Sequence, residues 1–155
     1  MTMDLIIWRH AEAQDEHEGL DDLQRALTPR GEKQAARMAK WLDLYLPENT
    51  RILCSPALRC EQTILPLGRK YKLREDLAPG NAASQLLDAV DWPGARQSVL
   101  VVGHQPMLGQ AIAKLIGLKG DNCPIRKGSV WWLRTRERDG HQQTVVIAVQ
   151  SPDVL

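Results

Sequence analysis

Four side chains, Arg9, His10, Arg59 and His104, carry the chemistry this sequence can do. Arg9 and His10 end the apolar run "LIIW", Arg59 follows the short run "RILCS", and His104 ends the run "SVLVVG". Guanidinium groups are planar, always charged and suited to two-pronged hydrogen bonding with phosphate. A neutral imidazole in such a pocket can attack phosphorus as a nucleophile. Two of each, gathered in space, would hold a small dianion and present a nucleophile to it. The two arginines are expected to depress the pKa of His10 and keep it neutral for attack.

They can gather only if the runs that precede them are neighbouring strands of one sheet. Apolar runs alternate with helical patterns along the chain, which points to an α/β fold. The first strand is about Asp4 to Arg9, and a polar, acidic loop follows over 11–27. Thr28-Pro29 reads as an N-cap and first helical residue, with Ala35, Met38, Ala39, Leu42 and Leu46 at helical spacing until Pro47. "RILCS" is a short buried strand, and Ser55-Pro56 reads as the start of a second helix, kinked or stopped at Pro66. "YKLRE" is a weaker strand, and residues 82–91 form a short helix ending near Pro93-Gly94. "SVLVVG" is the clearest buried strand, and His104-Gln105-Pro106 opens another helix. "SVWWLRT" and "QTVVIAV" form a hairpin joined by "ERDGHQ". Trp131 and Trp132 then point to opposite sheet faces, so at least one is core.

These elements predict a three-layer sandwich: a mostly parallel central sheet, helices on both faces, and a C-terminal hairpin closing one edge. In a parallel sheet with right-handed crossovers the strand ends lie on one edge, where ligands of open α/β sheets bind. The helix starts after Ser55 and His104 are expected to add free backbone N–H groups there.

Composition narrows the function classes. Residues 1–155 are read as one domain. The net charge of +1 supplies no field for nucleic acid or a membrane surface. No apolar run is long enough to span a bilayer, and the N-terminus, with Asp4 ahead of its apolar run, has no signal-peptide pattern. Cys54, Cys60 and Cys123 follow no metal spacing and are read as reduced thiols of a cytoplasmic protein.

The motifs together carry a resemblance. "WRHAEA" resembles the Arg-His-Gly signature of the histidine phosphatase superfamily, "CSPALRCEQT" its Ser-Pro-x-x-Arg-x-x-Gln-Thr segment, and "VLVVGHQP" its apolar strand ending in Gly-His or Ser-His. The three occur in the family's order. Short length, "LTPRGEKQA" and "EDLAPG" are similar to the small SixA-type phosphohistidine phosphatases. The resemblance implies a phosphoglycerate mutase-like fold without a cap insertion and a cofactor-independent phosphatase. His10 would be the nucleophile, transiently phosphorylated, with Arg9, Arg59 and His104 on the phosphoryl oxygens. It departs from the family at Ala11, where the signature has Gly, and at Ala78-Pro79, where larger members place a carboxylate proton donor. Glu12 and Asp15 are the candidate substitutes.

The substrate the resemblance implies is a phosphorylated protein, for instance a histidine-phosphotransfer domain in signal transduction. The alternatives are a small phosphomonoester, a phosphorylated Ser, Thr or Tyr side chain, or a phosphate-binding module without turnover. A metal hydrolase built on His10, Glu12, Asp15 and His104 is disfavoured because two arginines would repel the cation. Ser55 is read only as a helix start, Gln62 and Thr63 as packing and capping residues. His17, His141 and the acidic run "DEHEGLDD" are read as solvated, with a basic partner surface as the run's other use.

Overall fold

The first strand sets the architecture. In β1 (Thr2–Arg9) Leu5, Ile6, Ile7 and Trp8 are all buried, so both sheet faces need cover. Leu5 and Ile7 point into one apolar layer, with Leu86, Leu87, Met107 and Leu108. Ile6 and Trp8 point into the other, with Met38, Leu42, Cys60 and Ile64. The computed structural model describes residues 2–92 and 94–155.

The remaining elements are α1 (Pro29–Tyr45), β2 (Arg51–Cys54), α2 (Leu58–Ile64), β3 (Lys72–Leu73), α3 (Ala83–Ala89), β4 (Val99–Gly103), α4 (Met107–Ile116), β5 (Val130–Arg138) and β6 (His141–Gln150). The sheet order is β3-β2-β4-β1-β5-β6, parallel from β3 to β1 and antiparallel across β1-β5 and β5-β6. Helices α1 and α2 cover one face while the chain moves outward to β3, and α3 and α4 cover the other as it returns. That is what right-handed crossovers require. The three-layer α/β sandwich with a closing hairpin is the observed fold.

Several boundaries differ from the sequence reading. Helix α2 starts at Leu58 rather than at Pro56, because the Ser55 hydroxyl accepts the Ala57 N–H in a turn that precedes the helix. Helix α4 starts at Met107, after His104 and Gln105 have turned away from the sheet. The weak strand shrinks to two residues in β3. The hairpin is longer than its apolar residues suggest. Its turn is only Asp139-Gly140, both with positive φ, which suits the twist of a two-residue hairpin. The stop signal at Pro93 lies outside the described residues.

Helix α1 begins as its cap predicts: Thr28 Oγ1 accepts the Gly31 N–H at 3.0 Å, with Pro29 in the first turn. Gly31 has a second task. The Glu12 backbone lies against it so closely that a Cβ there would collide with the Glu12 carbonyl. Gly31→Ala is therefore expected to destabilise the fold by about 1–3 kcal/mol, the scale of an overpacked contact. A urea midpoint equal to that of the unsubstituted protein would contradict this packing.

Candidate active site

Register brings the chemistry together. Arg9 of β1 is the partner of Gly103 in β4, and Cys54 of β2 is the partner of Val102. The strand tails stay tied one step further: the His10 N–H donates to the Gly103 carbonyl at 3.1 Å, and the Ser55 N–H donates to the Val102 carbonyl at 3.0 Å. His10, Ser55 and His104 thus leave the same sheet edge as adjacent residues. Arg59 reaches them from the first turn of α2. The His10 and His104 rings lie with centroids 5.3 Å apart, tilted by 56°. His10, Arg59 and His104 are all buried.

The hydrogen bonds of His10 fix its tautomer. Its Nδ1 lies 2.7 Å from the Ala11 carbonyl. A carbonyl can only accept, so Nδ1 carries the proton and Nε2 of the neutral ring keeps a bare lone pair. Burial pushes the pKa of His10 down to about 4. The Ala11 carbonyl pulls it back up, and Arg59, Arg9 and Lys127 push it down further. Loss of solvent is thus the leading cause, and the cations that the sequence pointed to come after it. His104 is lowered to about 3, again chiefly by burial, then by His10 and Arg59.

Several buried polar atoms around the two rings have nothing to bind within the protein. Among the described residues four buried side-chain polar atoms have no hydrogen-bond partner, and three are Arg9 Nε, Arg59 Nε and His104 Nδ1. The fourth, Ser129 Oγ, belongs to the residue whose carbonyl accepts the Arg9 N–H. Buried polar groups are normally paired, and the two unpaired guanidinium N–H groups at this edge can donate to an anion. Both guanidiniums are held by their other ends. Arg9 Nη1 donates to the Ile125 carbonyl at 2.7 Å. Arg59 donates through Nη1 to the Asp22 carbonyl at 2.7 Å and through Nη2 to Asp22 Oδ2 at 3.0 Å. At the helix starts Ala57 donates to Ser55 Oγ, Leu108 to the His104 carbonyl and Gly109 to Gln105 Oε1, while the N–H groups of Leu58, Arg59 and Met107 make no hydrogen bond among the described residues.

The model of the histidine phosphatase superfamily (branch 1) matches residues 5–80, a span that contains Arg9, His10 and Arg59. The Escherichia coli protein named phosphohistidine phosphatase SixA is 34% identical over 73% of this chain and 74% of its own length. This chain belongs to the histidine phosphatase superfamily, in its SixA branch. A Haemophilus influenzae relative named as a phosphohistidine phosphatase SixA homolog is 29% identical across 97% of both chains. The solved structure of the protein histidine phosphatase SixA complexed with tungstate superposes with a TM-score of 0.78, at 26% identity, over 97% of this chain and 98% of that one. The chain is accordingly a hydrolase of the phosphatase class.

The Ala11 departure from the superfamily signature costs nothing in the backbone, since only Asp91 and Asp139 among the described non-glycine residues have positive φ. Its methyl is fully buried and its N–H donates to Thr63 Oγ1 at 3.0 Å. Neither candidate proton donor makes a hydrogen bond to either ring. Glu12 Oε2 accepts the Thr28 hydroxyl at 2.7 Å, at the N-cap of α1. Asp15 is exposed on the loop, because the chain turns outward after Ala13 pairs with Leu27. Among the described residues no cluster of three His, Cys, Asp or Glu side chains is placed to hold a metal ion, and no helix is long and apolar enough to cross a membrane.

Three residues at the site carried no chemical role in the sequence reading. Asp22, in the acidic run whose composition suggests a solvated face, pairs with Arg59 and with Arg25. Ser55, taken only as a helix start, lies 2.7 Å from His104 Nε2 through its hydroxyl. Cys60 Sγ lies 3.4 Å from the same nitrogen. The Ser-Pro-x-x-Arg segment was the one signal that could have drawn attention to Ser55. His17 and His141 are exposed.

The low pKa values of the two histidines have a direct consequence for stability. Unfolded imidazoles titrate near 6.5, whereas these rings take up protons only near 4 and 3 when folded. Between those limits the unfolded chain binds protons that the folded chain does not, so stability falls as pH is lowered from about 6.5 towards 4. From pH 7 to pH 5 the expected loss is on the order of 2 kcal/mol per ring, from about 1.4 kcal/mol per pKa unit. Urea midpoints for the protein and for His104→Asn check this: the variant should lose less stability on acidification.

Proposed function

We propose that this protein removes phosphate from phosphohistidine on a partner protein, through transfer to His10 and without a metal ion. The observation that carries the reading is the bare Nε2 of His10, with the unpartnered guanidinium N–H groups Arg9 Nε and Arg59 Nε and the unpartnered His104 Nδ1 at the same sheet edge. The Nε2 lone pair forms the new N–P bond as the substrate's own P–N bond breaks. A substrate ring protonated on its second nitrogen then departs as neutral imidazole and needs no carboxylic acid beside it. That agrees with Glu12 being engaged at Thr28 and Asp15 lying on the surface.

The second half uses the same ring geometry. Phosphorylated on Nε2 and still protonated on Nδ1, His10 is a phosphoimidazolium cation whose charge faces the Ala11 carbonyl. Water attacks phosphorus, the His10 P–N bond breaks, and the electron pair returns to Nε2, leaving neutral imidazole and phosphate. Throughout, the guanidiniums neutralise the equatorial oxygens, and positioning plus charge stabilisation is most of what phosphoryl transfer needs. A cleft of about 230 Å³ is lined by Glu12, Arg30, Gln34, Arg126, Lys127 and Asp153, and of these Lys127 is near enough to act on the charge of His10.

The test compares kcat/KM on a phosphohistidine-bearing protein and on p-nitrophenyl phosphate, each with EDTA and with vanadate. The expected result is preference for the protein, indifference to EDTA and inhibition by vanadate. A faster reaction on the aryl ester would overturn the substrate assignment, and loss of activity in EDTA would overturn the metal-free mechanism.

A further inference from the structure

A neutral histidine can give a phosphoryl oxygen a hydrogen bond only from the nitrogen that carries its proton, and on His104 that choice is not made by the site itself. The Nδ1 atom is buried and unpartnered. The Nε2 atom has two neighbours, Ser55 Oγ at 2.7 Å and Cys60 Sγ at 3.4 Å. Ser55 is fully buried, so its hydroxyl proton has no water to turn to. Its oxygen already accepts the Ala57 N–H at 3.2 Å.

We propose that Ser55 is a positioning residue: its hydroxyl donates to His104 Nε2 and thereby holds the imidazole proton on Nδ1, as a donor to the phosphoryl group. The proposal rests on the functional reading above and deepens it. Donor counting favours it. With the proton on Nε2 instead, Ser55 Oγ would accept twice, its own hydrogen would have only the Cys60 sulfur to reach, and Nδ1 would present a lone pair to an anion. With the proton on Nδ1, every hydrogen has an acceptor once a phosphoryl oxygen is bound. The preference matters because burial keeps the ring neutral, so it has one N–H and not two. Cys60 cannot be the controlling donor to the same degree. Burial raises its thiol to about 12, and a thiol is a weak hydrogen-bond donor at the longer distance.

The register explains why a serine can do this from 49 residues away. Ser55 and His104 are the first residues past the paired strands β2 and β4, and the Ser55 N–H still donates to the Val102 carbonyl. The hydroxyl is therefore fixed relative to the ring by the sheet, not by a loop.

Two-dimensional 15N NMR of the imidazole nitrogens tests it. In the free, unsubstituted protein at pH 7, His104 should appear as the Nδ1–H tautomer. Ser55→Ala should abolish that preference, lower kcat/KM by about 10- to 100-fold and weaken vanadate binding by a similar factor, the scale of one lost donor. Cys60→Ala should leave the His104 tautomer unchanged. An Nε2–H tautomer in the unsubstituted protein overturns the proposal even if Ser55→Ala fails to fold. So does a Ser55→Ala protein with an unchanged tautomer, or reversal of the tautomer by Cys60→Ala. Because the tautomer is read without substrate, failure of the phosphohistidine assignment would show in the rate comparisons alone.

Discussion

His10→Ala is expected to lower phosphatase turnover by about four orders of magnitude or more, because no second nucleophile stands in line with the donor atoms. The other ring of the pair, His104, has its Nε2 occupied by Ser55 and lies 5.3 Å away by centroid, so it does not take over attack. The residual protein should still bind vanadate, since Arg9, Arg59 and His104 keep their donors, although the covalent N–V contact is gone. Rapid acid-free quenching of the unsubstituted enzyme should trap phosphate on His10 that is labile to acid and stable to base, and the alanine protein should trap none. Retained turnover, or phosphate on another residue, would end the covalent mechanism. Retained folding is expected, because the His10 N–H tie to Gly103 is made by backbone and survives the change.

How the site could be read before any coordinates follows from where its residues sit. Arg9, His10 and His104 stand where buried strands stop, and a buried strand stops at polar residues for a reason that local sequence already displays. The sheet logic then placed them on one edge, and the β1-β4 and β2-β4 registers put the tails side by side. What stayed hidden was every partner supplied from far along the chain. Asp22 looks like one more charge in an acidic loop until Arg59, 37 residues on, donates two hydrogen bonds to it. Ser55 looks like an N-cap because its hydroxyl does accept a local N–H, and the same hydroxyl also faces His104. Asp4 looks like a blemish in a strand, yet it is the cross-strand partner of Arg134, which grips it with two hydrogen bonds while Trp132 Nε1 supplies a third.

The fold errors have the same origin. The hairpin exceeds its sequence expectation because its outer residues, Glu137 to Gln142, carry no apolar pattern. Ladder hydrogen bonds alone extend β5 and β6 to the Asp139-Gly140 turn. The second helix starts later than Pro56 suggests because a proline marks where a helix can begin, not whether the preceding serine has a use elsewhere.

Arg59→Ala is the second large loss, expected at about two to four orders of magnitude in kcat/KM, the usual scale for removing a preorganised charge-stabilising donor. The guanidinium is buried, its Nε is unpartnered, and its far end is held by Asp22. Its charge is therefore aimed before substrate arrives. Arg59→Lys should recover little, because a lysine cannot place one N–H on the substrate while two others hold Asp22. Asp22→Asn separates aim from charge. It keeps a side-chain oxygen for Nη2 and the backbone carbonyl for Nη1, so the loss should be about tenfold or less, and Arg59 should keep most of its effect. In a double-mutant cycle the Asp22 substitution should matter in the Arg59 protein and cost almost nothing in Arg59→Ala. Additive losses would mean that the acidic loop acts on the substrate directly, and a loss under tenfold for Arg59→Ala would mean that its charge is not spent on phosphorus.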